Sequence, residues 1–424
     1  MPKNWKTYKL ENIAKISGGK RMPKGQNLVE FETDHPYIRV RDMNTRTIRK
    51  SDLLYVPDSA FDKISRYTVS ENDIIISVVG TIGNIAIIDG NISGANLTEN
   101  CNKITELQNL DSSFLYYFLI SNIGQGEITK GVVGSTQPKL PLYSIKDINL
   151  NIPPLPEQRA IASILSTIDD KIENNLAMNK TLEDMAMALY KHWFVDFGPF
   201  QEGKFIDSEL GKIPEGWEVK ELGELVKILG GYAFKGKDFK DVGESVIKIK
   251  NISNNLVSIE GSNCIAVQVA EKTNPKFQIS PGSFLVAMTG AEVGKVGVVP
   301  NYGRRMWLNQ RVGMISKPAF KYADILVGIF LQSTEGYEII QNLAYGSAQP
   351  NISSSGIESI SIVIPNDLSI IIDELNQMNN WHLQRISNYT ENQTLTQIRD
   401  TLLPKLISGE VRLKEFEKEI TAAL

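Results

Sequence analysis

The chain has 424 residues, 42% of them apolar and 22% charged. That composition excludes a disordered or disulfide-stapled protein and implies two to four folded domains. A formal net charge of -4 and a pI of about 5.7 argue against nucleic-acid binding over the whole surface, because such binding requires local positive charge.

The N-terminal Met1-Pro2-Lys3-Asn4-Trp5-Lys6 lacks the apolar core of a secretory signal. The longest apolar stretches, such as Ile325 to Leu331, are too short to span a bilayer, so a cytoplasmic protein with no membrane partner is expected. Residues 1–155 read as a mixed α/β domain. Gly18 to Gly25 form a basic Gly-rich loop, the alternation from Tyr37 to Arg41 predicts a strand, and the β-branched run from Ile74 to Val79 predicts a buried one.

Pro153, Pro154 and Pro156 then open a helix over residues 156–197, which Gly198-Pro199 stops. Its residues Ile161, Leu165, Ile168, Ile172, Asn175, Asn179, Leu182, Ala186, Leu189 and Trp193 step alternately by four and three, the heptad seam of a coiled coil. The polar Asn175 and Asn179 in that seam are expected to set register. Residues 198–365 form a linker and a second mixed domain, with a strand expected from Val246 to Lys250. Residues 366–424 form a second long helix and a tail, with a seam at Ile371, Leu375, Met378, His382, Ile386, Tyr389, Leu395, Ile398 and Leu402 before Pro404 and Gly409. About 40 residues at about 1.5 Å each make a rod of about 60 Å.

The two halves are one pattern. Asn4-Trp5 matches Gly216-Trp217, Ile16-Ser17-Gly18-Gly19 matches Ile228-Leu229-Gly230-Gly231, and Gly134-Ser135-Thr136-Gln137-Pro138 matches Gly346-Ser347-Ala348-Gln349-Pro350, all offset by 212 residues. Tyr37 to Asp42 meets Val246 to Asn251, and Val69-Ser70 meets Ile279-Ser280, at offsets of 209 and 210 that loop indels absorb. The expected fold is α+β: two repeated mixed α/β recognition domains separated by two long helices that form an antiparallel coiled coil, related by a pseudo-twofold axis.

Several motifs carry no chemistry. Gly231-Tyr232-Ala233-Phe234-Lys235-Gly236-Lys237-Asp238 nearly spells a P-loop, but Asp238 replaces the magnesium-binding Ser or Thr and no helix-forming run follows. Asn151-Ile152-Pro153-Pro154 has the outline of an amino-methyltransferase turn, with Ile152 interrupting it and Leu155 in place of the aromatic, and reads as a strand leaving its sheet for a helix. Cys101 and Cys264 stand alone and read as two buried thiols, and His35, His192 and His382 lie far apart. No catalytic residue, metal site or cofactor site is therefore expected in this chain.

Positive charge clusters instead in matching places. Residues 1–155 hold 18 Lys and Arg against 16 Asp and Glu, whereas the first long helix holds four against seven. Candidate DNA-binding residues are Lys20, Arg21, Lys24, Arg39, Arg41, Asn44 and Arg46 in the first half. Those of the second half are Lys235, Lys237, Lys248, Lys250, Asn251, Arg304, Arg305, Asn309, Gln310 and Arg311. Lys suits phosphates, and Arg, Asn and Gln can reach base edges bidentately.

Longer motifs carry a family resemblance. Ile152-Pro153-Pro154-Leu155-Pro156-Glu157-Gln158-Arg159-Ala160-Ile161, then Ile168-Asp169-Asp170-Lys171-Ile172 and Asn175, resemble the junction and first conserved helix of type I restriction-modification specificity subunits. Ser208 to Glu218, with Gly211-Lys212-Ile213-Pro214-Glu215-Gly216-Trp217, resembles the start of that family's second recognition domain. Leu395 through Arg399-Asp400-Thr401-Leu402-Leu403-Pro404-Lys405-Leu406-Ile407-Ser408-Gly409-Glu410 resembles the end of its second helix. Ile364-Pro365-Asn366-Asp367-Leu368 departs from the first junction by lacking Pro-Leu-Pro-Glu-Gln.

The resemblance implies a non-catalytic subunit whose two domains each read one half of a bipartite double-stranded DNA target, while the helices set the spacer and hold two modification subunits. It also implies that S-adenosylmethionine, ATP and Mg belong to partners, the modification (methyltransferase) subunits and the ATP-dependent restriction subunits. Apolar residues off the seam, Met178, Met185 and Met187, are candidate contacts to them. The acidic balance also suits a tandem-domain protein-binding scaffold without DNA recognition, and a self-sufficient modification enzyme is a third reading. Salt dependence of binding separates the scaffold from the DNA reader.

Overall fold

The computed structural model describes residues 2–344 and 350–412. Gly346-Ser347-Ala348-Gln349, which the repeat pairs with Gly134 to Gln137, lies outside them, as does the tail from 413 onward. The chain forms two compact units, residues 2–170 with 395–412 and residues 171–344 with 350–394.

In the first unit the run from Ile74 to Ser77 is the centre of a four-stranded antiparallel sheet in the order Lys15–Gly18, Cys101–Thr105, Ile74–Ser77, Ile85–Ile87. Side chains of a strand alternate between faces. Ile74 and Ile76 accordingly join Ile16 and Ile104 in one core, while Ile75 joins Ala86, Cys101 and Ile38 in another. The first core is covered by the helix Ser112–Ile120, which buries six consecutive residues from Phe114 to Leu119 and is capped by Asp111, whose carboxylate accepts from the Phe114 N–H at 3.0 Å. The second face carries a smaller sheet of Leu54–Tyr55, Pro36–Ile38 and Asn96–Leu97, the last two parallel.

Strand Lys6–Lys9 pairs antiparallel with Asn149–Ile152, which brings the two ends of the domain together just before Pro153-Pro154 turns the chain into the helix Leu155–Tyr190. The resembled junction motif has a clear local job there. Gln158, buried, accepts from the Asp111 N–H at 2.9 Å and donates to the carbonyls of Asn109 at 3.0 Å and Pro153 at 2.9 Å, satisfying three main-chain groups at once. Glu157 pairs with Arg412 at 2.8 Å.

The second unit repeats this plan with longer sheets. Lys227–Gly230, Val312–Ser316, Phe284–Ala287 and Val296–Val298 lie in the same order as their counterparts, extended by Leu256–Val257 and Ile252–Ser253. Ile16 pairs with Ile104 in the first unit and Ile228 with Ile315 in the second, so the register repeats as well. Strand Ser361–Pro365 pairs with Trp217–Glu221, as Asn149–Ile152 does with Lys6–Lys9. The missing Pro-Leu-Pro-Glu-Gln has a structural consequence. The chain there passes through a 3-10 turn, Leu368–Ile371, capped by Asp367, before the second long helix begins at Ile372.

Two expected strands end sooner than alternation suggested. Pro36–Ile38 and Glu244–Ile247 are strands, but Val40–Asp42 and Ile249–Asn251 are 3-10 turns. The cause is the same in both units. The Asp42 carboxylate accepts from the Arg39 N–H at 2.8 Å and the Asn251 side chain from the Lys248 N–H at 3.0 Å, which folds the chain back on itself.

The first helix buries or half-buries every expected seam position, and ends in a π-helical turn, Lys191–Val195, before Gly198. A Cβ on Gly198 would sit 2.0 Å from the His192 ring, so a side chain there would displace that exposed ring. The second helix runs through Pro404 to Ser408, and Gly409 at φ +71 ends it. Its seam needs correction. Ile398 is 43% exposed, and the buried stripe instead carries Arg385, Asn388 and Asn392, with Arg399 further on. Reading only apolar residues missed a seam that is polar at its middle.

Within each unit the helix segments pack antiparallel. In the first, Ile161 and Leu165 share a core with Leu403, Leu406 and Ile407, and buried Asp169 accepts from Arg399 Nη1 at 2.9 Å and from the Tyr117 hydroxyl at 2.7 Å. In the second, Asn175 donates to Asn392 at 2.8 Å, Asn388 donates to Asn179 at 2.8 Å, and Arg385 pairs with Glu183 at 2.9 Å. These contacts pair most of the polar groups the ladder buries, Arg385 Nε being left without a partner, and a slip by one heptad would strand several more.

Candidate nucleic-acid interface

Each Gly-Gly pair has a physical reason. A Cβ on Gly19 would lie 2.1 Å from the Thr98 carbonyl oxygen, and one on Gly231 would lie 2.2 Å from that of Asn309. The next residue is held alike in both units: Lys20 N–H donates to Leu97 O at 2.7 Å and Tyr232 N–H to Leu308 O at 2.8 Å. The chain therefore leaves the sheet through the same tight corner twice and continues as an extended loop carrying the basic residues. The loop of the second unit has only a 3-10 turn, Gly236–Asp238, and no helix to receive a phosphate in P-loop fashion.

In the first unit this corner lines a concave pocket of about 480 Å³, with Lys20, Arg21, Lys24 and Lys63 facing it against one carboxylate, Glu99. Arg21 and Glu99 are 3.2 Å apart. Lys20 and Lys24 are exposed. Arg41, 77% exposed, and Asn44 also reach solvent, Asn44 with its amide donating to the Arg41 carbonyl at 2.8 Å. Two other candidates turn inward. Arg39 grips Asp42 bidentately at 2.9 Å, and Arg46 forms an ion pair with Asp170 of the long helix. Lys63 and Arg66 were not singled out from the sequence. Arg66 lies 5.2 Å from the centre of the Tyr67 ring, and Lys20 reaches the same ring at 5.8 Å.

In the second unit Lys235, Lys237, Arg304, Gln310 and Arg311 are exposed, and Arg305 pairs with Glu244. Lys248 lies over the Phe239 ring at 3.9 Å, where burial, and then the charge of Lys250, lower its pKa from the usual lysine range. Lys250 donates to the Gly261 carbonyl at 2.7 Å. Asn251 is buried, and its amide donates to Ser258 O at 2.9 Å, so its side chain shapes the turn. Asn309 is buried beside Gly231. The sequence reading missed Lys276, which lies 4.8 Å from the Phe277 ring. That ring is 5.6 Å from Tyr232.

The remaining singled-out residues have local roles. Cys101 is buried and its thiol is pushed up to about 12 by burial, whereas Cys264, expected to be buried, is only half-buried, on a strand paired on both sides. His35 stacks on Phe61 at 3.6 Å, and His382 stacks on Phe284 at 4.6 Å. On the first helix Met178 and Met185 are 47% and 44% exposed, while Met187 packs against the core.

The comparisons agree with the repeat. The chain is 26% identical to the MjaIX type I restriction enzyme specificity subunit of Methanocaldococcus jannaschii, over 98% of this chain and 95% of the relative. It is 27% identical to the HindI type I restriction enzyme specificity subunit of Haemophilus influenzae, over 96% of this chain and all of that one, 100%. A crystal structure of a type I restriction-modification S subunit from M. genitalium shares the fold at a TM-score of 0.60 and 16% identity, covering 95% of this chain and 96% of that one. No helix among the described residues is long and apolar enough to cross a membrane. The model of the type I restriction modification DNA specificity domain matches twice, over residues 2–184 and 214–400, and the chain belongs to that family.

Proposed function

We propose that this chain is the DNA sequence-specificity subunit of a type I restriction-modification complex, a recognition subunit rather than an enzyme. Each domain reads one half of a bipartite double-stranded target through the loops that leave its Gly-Gly corner. Lys20, Arg21, Lys24, Arg41 and Asn44 serve one half. Tyr232, Lys235, Lys237, Gln310 and Arg311 serve the other. The observation that carries this reading is the repeated corner itself, the same backbone geometry dressed with different side chains, as two half-sites of different sequence require.

The helices bind two modification subunits, with exposed Met178 and Met185 among the contacts. S-adenosylmethionine, Mg and ATP act on those partners and on the restriction subunits, in the cytoplasm. Helix length sets the gap between half-sites. Seven residues inserted after Leu176 and after Ser387 keep the heptad phase and lengthen each helix by about 10 Å, or about 3 bp. Mapping of methylated bases should then show both half-sequences unchanged with a longer spacer. An unchanged spacer with activity retained would refute the role of the helices as a ruler.

A further inference from the structure

Each unit carries one further cation beside its Gly-Gly corner, Arg66 in the first and Lys276 in the second. Arg66-Tyr67 and Lys276-Phe277 stand at an offset of 210, one residue before the aligned Val69-Ser70 and Ile279-Ser280. In each unit the cation lies over the following ring, at 5.2 Å for Arg66 and 4.8 Å for Lys276, and that ring faces the residue after the Gly-Gly pair, Lys20 in one and Tyr232 in the other. Both cations are exposed and neither is in an ion pair among the described residues, although Arg66 also donates to the Tyr67 hydroxyl at 3.2 Å. The neighbours change from Lys20 and Tyr67 to Tyr232 and Phe277, yet a cation stays in place.

A base reader must differ between two half-sites, whereas a phosphate has the same chemistry everywhere. A feature constant in charge amid variable neighbours therefore matches the sugar-phosphate backbone. In the first unit the electrostatics agree, since the adjoining pocket gathers four cations against one carboxylate in a chain whose net charge is -4. Such a cluster of exposed cations attracts a polyanion, most strongly at low salt. The ring beneath each cation holds a long side chain in one outward pose.

We propose that Arg66 and Lys276 are the matching backbone-phosphate contacts of the two recognition domains, each poised on its own ring, with the base-reading residues placed around them. This rests on the DNA-reading function proposed above. The test uses the full-length chain and a DNA duplex carrying its bipartite target, with affinity measured against salt concentration. Arg66→Ala and Lys276→Ala should each weaken binding and lower the salt slope by about one, without changing which bases are preferred in either half-site. Arg66→Lys should restore the slope of the unaltered protein, which a purely structural role for the arginine would not produce.

An unchanged slope in both alanine variants would overturn the proposal. So would an altered base preference with the slope intact, which is the signature of base reading. If the unaltered chain itself shows neither salt-dependent binding nor preference for its target, the DNA-reading function fails and the phosphate assignment falls with it.

Discussion

His382 should make the second unit acid-sensitive in a way one substitution removes. The ring lies in the helix seam, stacked on Phe284 at 4.6 Å, with Nε2 2.9 Å from the Gly282 carbonyl oxygen and the guanidinium of Arg385 on the next turn. The neutral ring donates from Nε2 to that carbonyl. Burial lowers its pKa from 6.5 to about 4, outweighing the Gly282 hydrogen bond, with the charge of Arg385 adding to the effect.

The folded protein thus binds this proton less readily than the unfolded chain. Its neutral state contributes full stability above about pH 6.5, and that contribution is lost as pH falls toward 4. A shift from 6.5 to about 4 corresponds to about 3 kcal/mol in all, of which about 1.4 kcal/mol is already lost at pH 5.5. His382→Gln keeps an N–H for Gly282 and cannot titrate. Urea unfolding at several pH values should therefore show the difference between unaltered protein and variant changing by about 1.4 kcal/mol between pH 7.5 and 5.5, carboxylate effects cancelling in the comparison. A constant difference, or a His382 titration near 6.5 by NMR, would refute the reasoning.

Two further outcomes follow from buried contacts. Arg399→Met leaves the Asp169 carboxylate, 7% exposed, with only the Tyr117 hydroxyl, and should destabilise the first unit by about 2–3 kcal/mol, below the about 3–5 kcal/mol of a fully buried broken pair because Arg399 is itself partly exposed. Hydrogen exchange localised to the Ser112–Ile120 helix and the first long helix reads this, and unchanged protection there would count against a structural role for the pair. Gly231→Ala places a methyl 2.2 Å from the Asn309 carbonyl oxygen, so the second corner must shift at a cost of about 1–3 kcal/mol. Binding to duplexes mutated in one half-site at a time should show recognition weakened in one half only. Equal loss in both halves would contradict independent domains.

The repeat and both long helices were legible because prolines, heptads and Gly-Gly pairs act locally. Each also has a visible cause in the fold, such as the carbonyls of Thr98 and Asn309 that exclude a Cβ at Gly19 and Gly231. The polar middle of the second seam was not legible. Arg385, Asn388 and Asn392 are acceptable inside only because Glu183, Asn179 and Asn175 meet them from the other helix, a pairing no single segment encodes. The strand expected through Arg41 and Lys250 failed for a related reason, since Asp42 and Asn251 return to the backbone and turn the chain.

The candidate interface was half legible. Runs of cations located the loops, but whether a cation points outward depends on partners distant in sequence, as for Arg39 with Asp42 and Arg46 with Asp170. Arg66 and Lys276 stand out only once their rings are seen beside Lys20 and Tyr232.

The most direct test of the central claim is a genome-wide map of methylated bases in cells that express this chain with its modification subunits. The account predicts one bipartite motif, two short defined sequences separated by a fixed stretch of unspecified bases, that vanishes when this chain is omitted. A single uninterrupted motif, or the same motif without the chain, would contradict it.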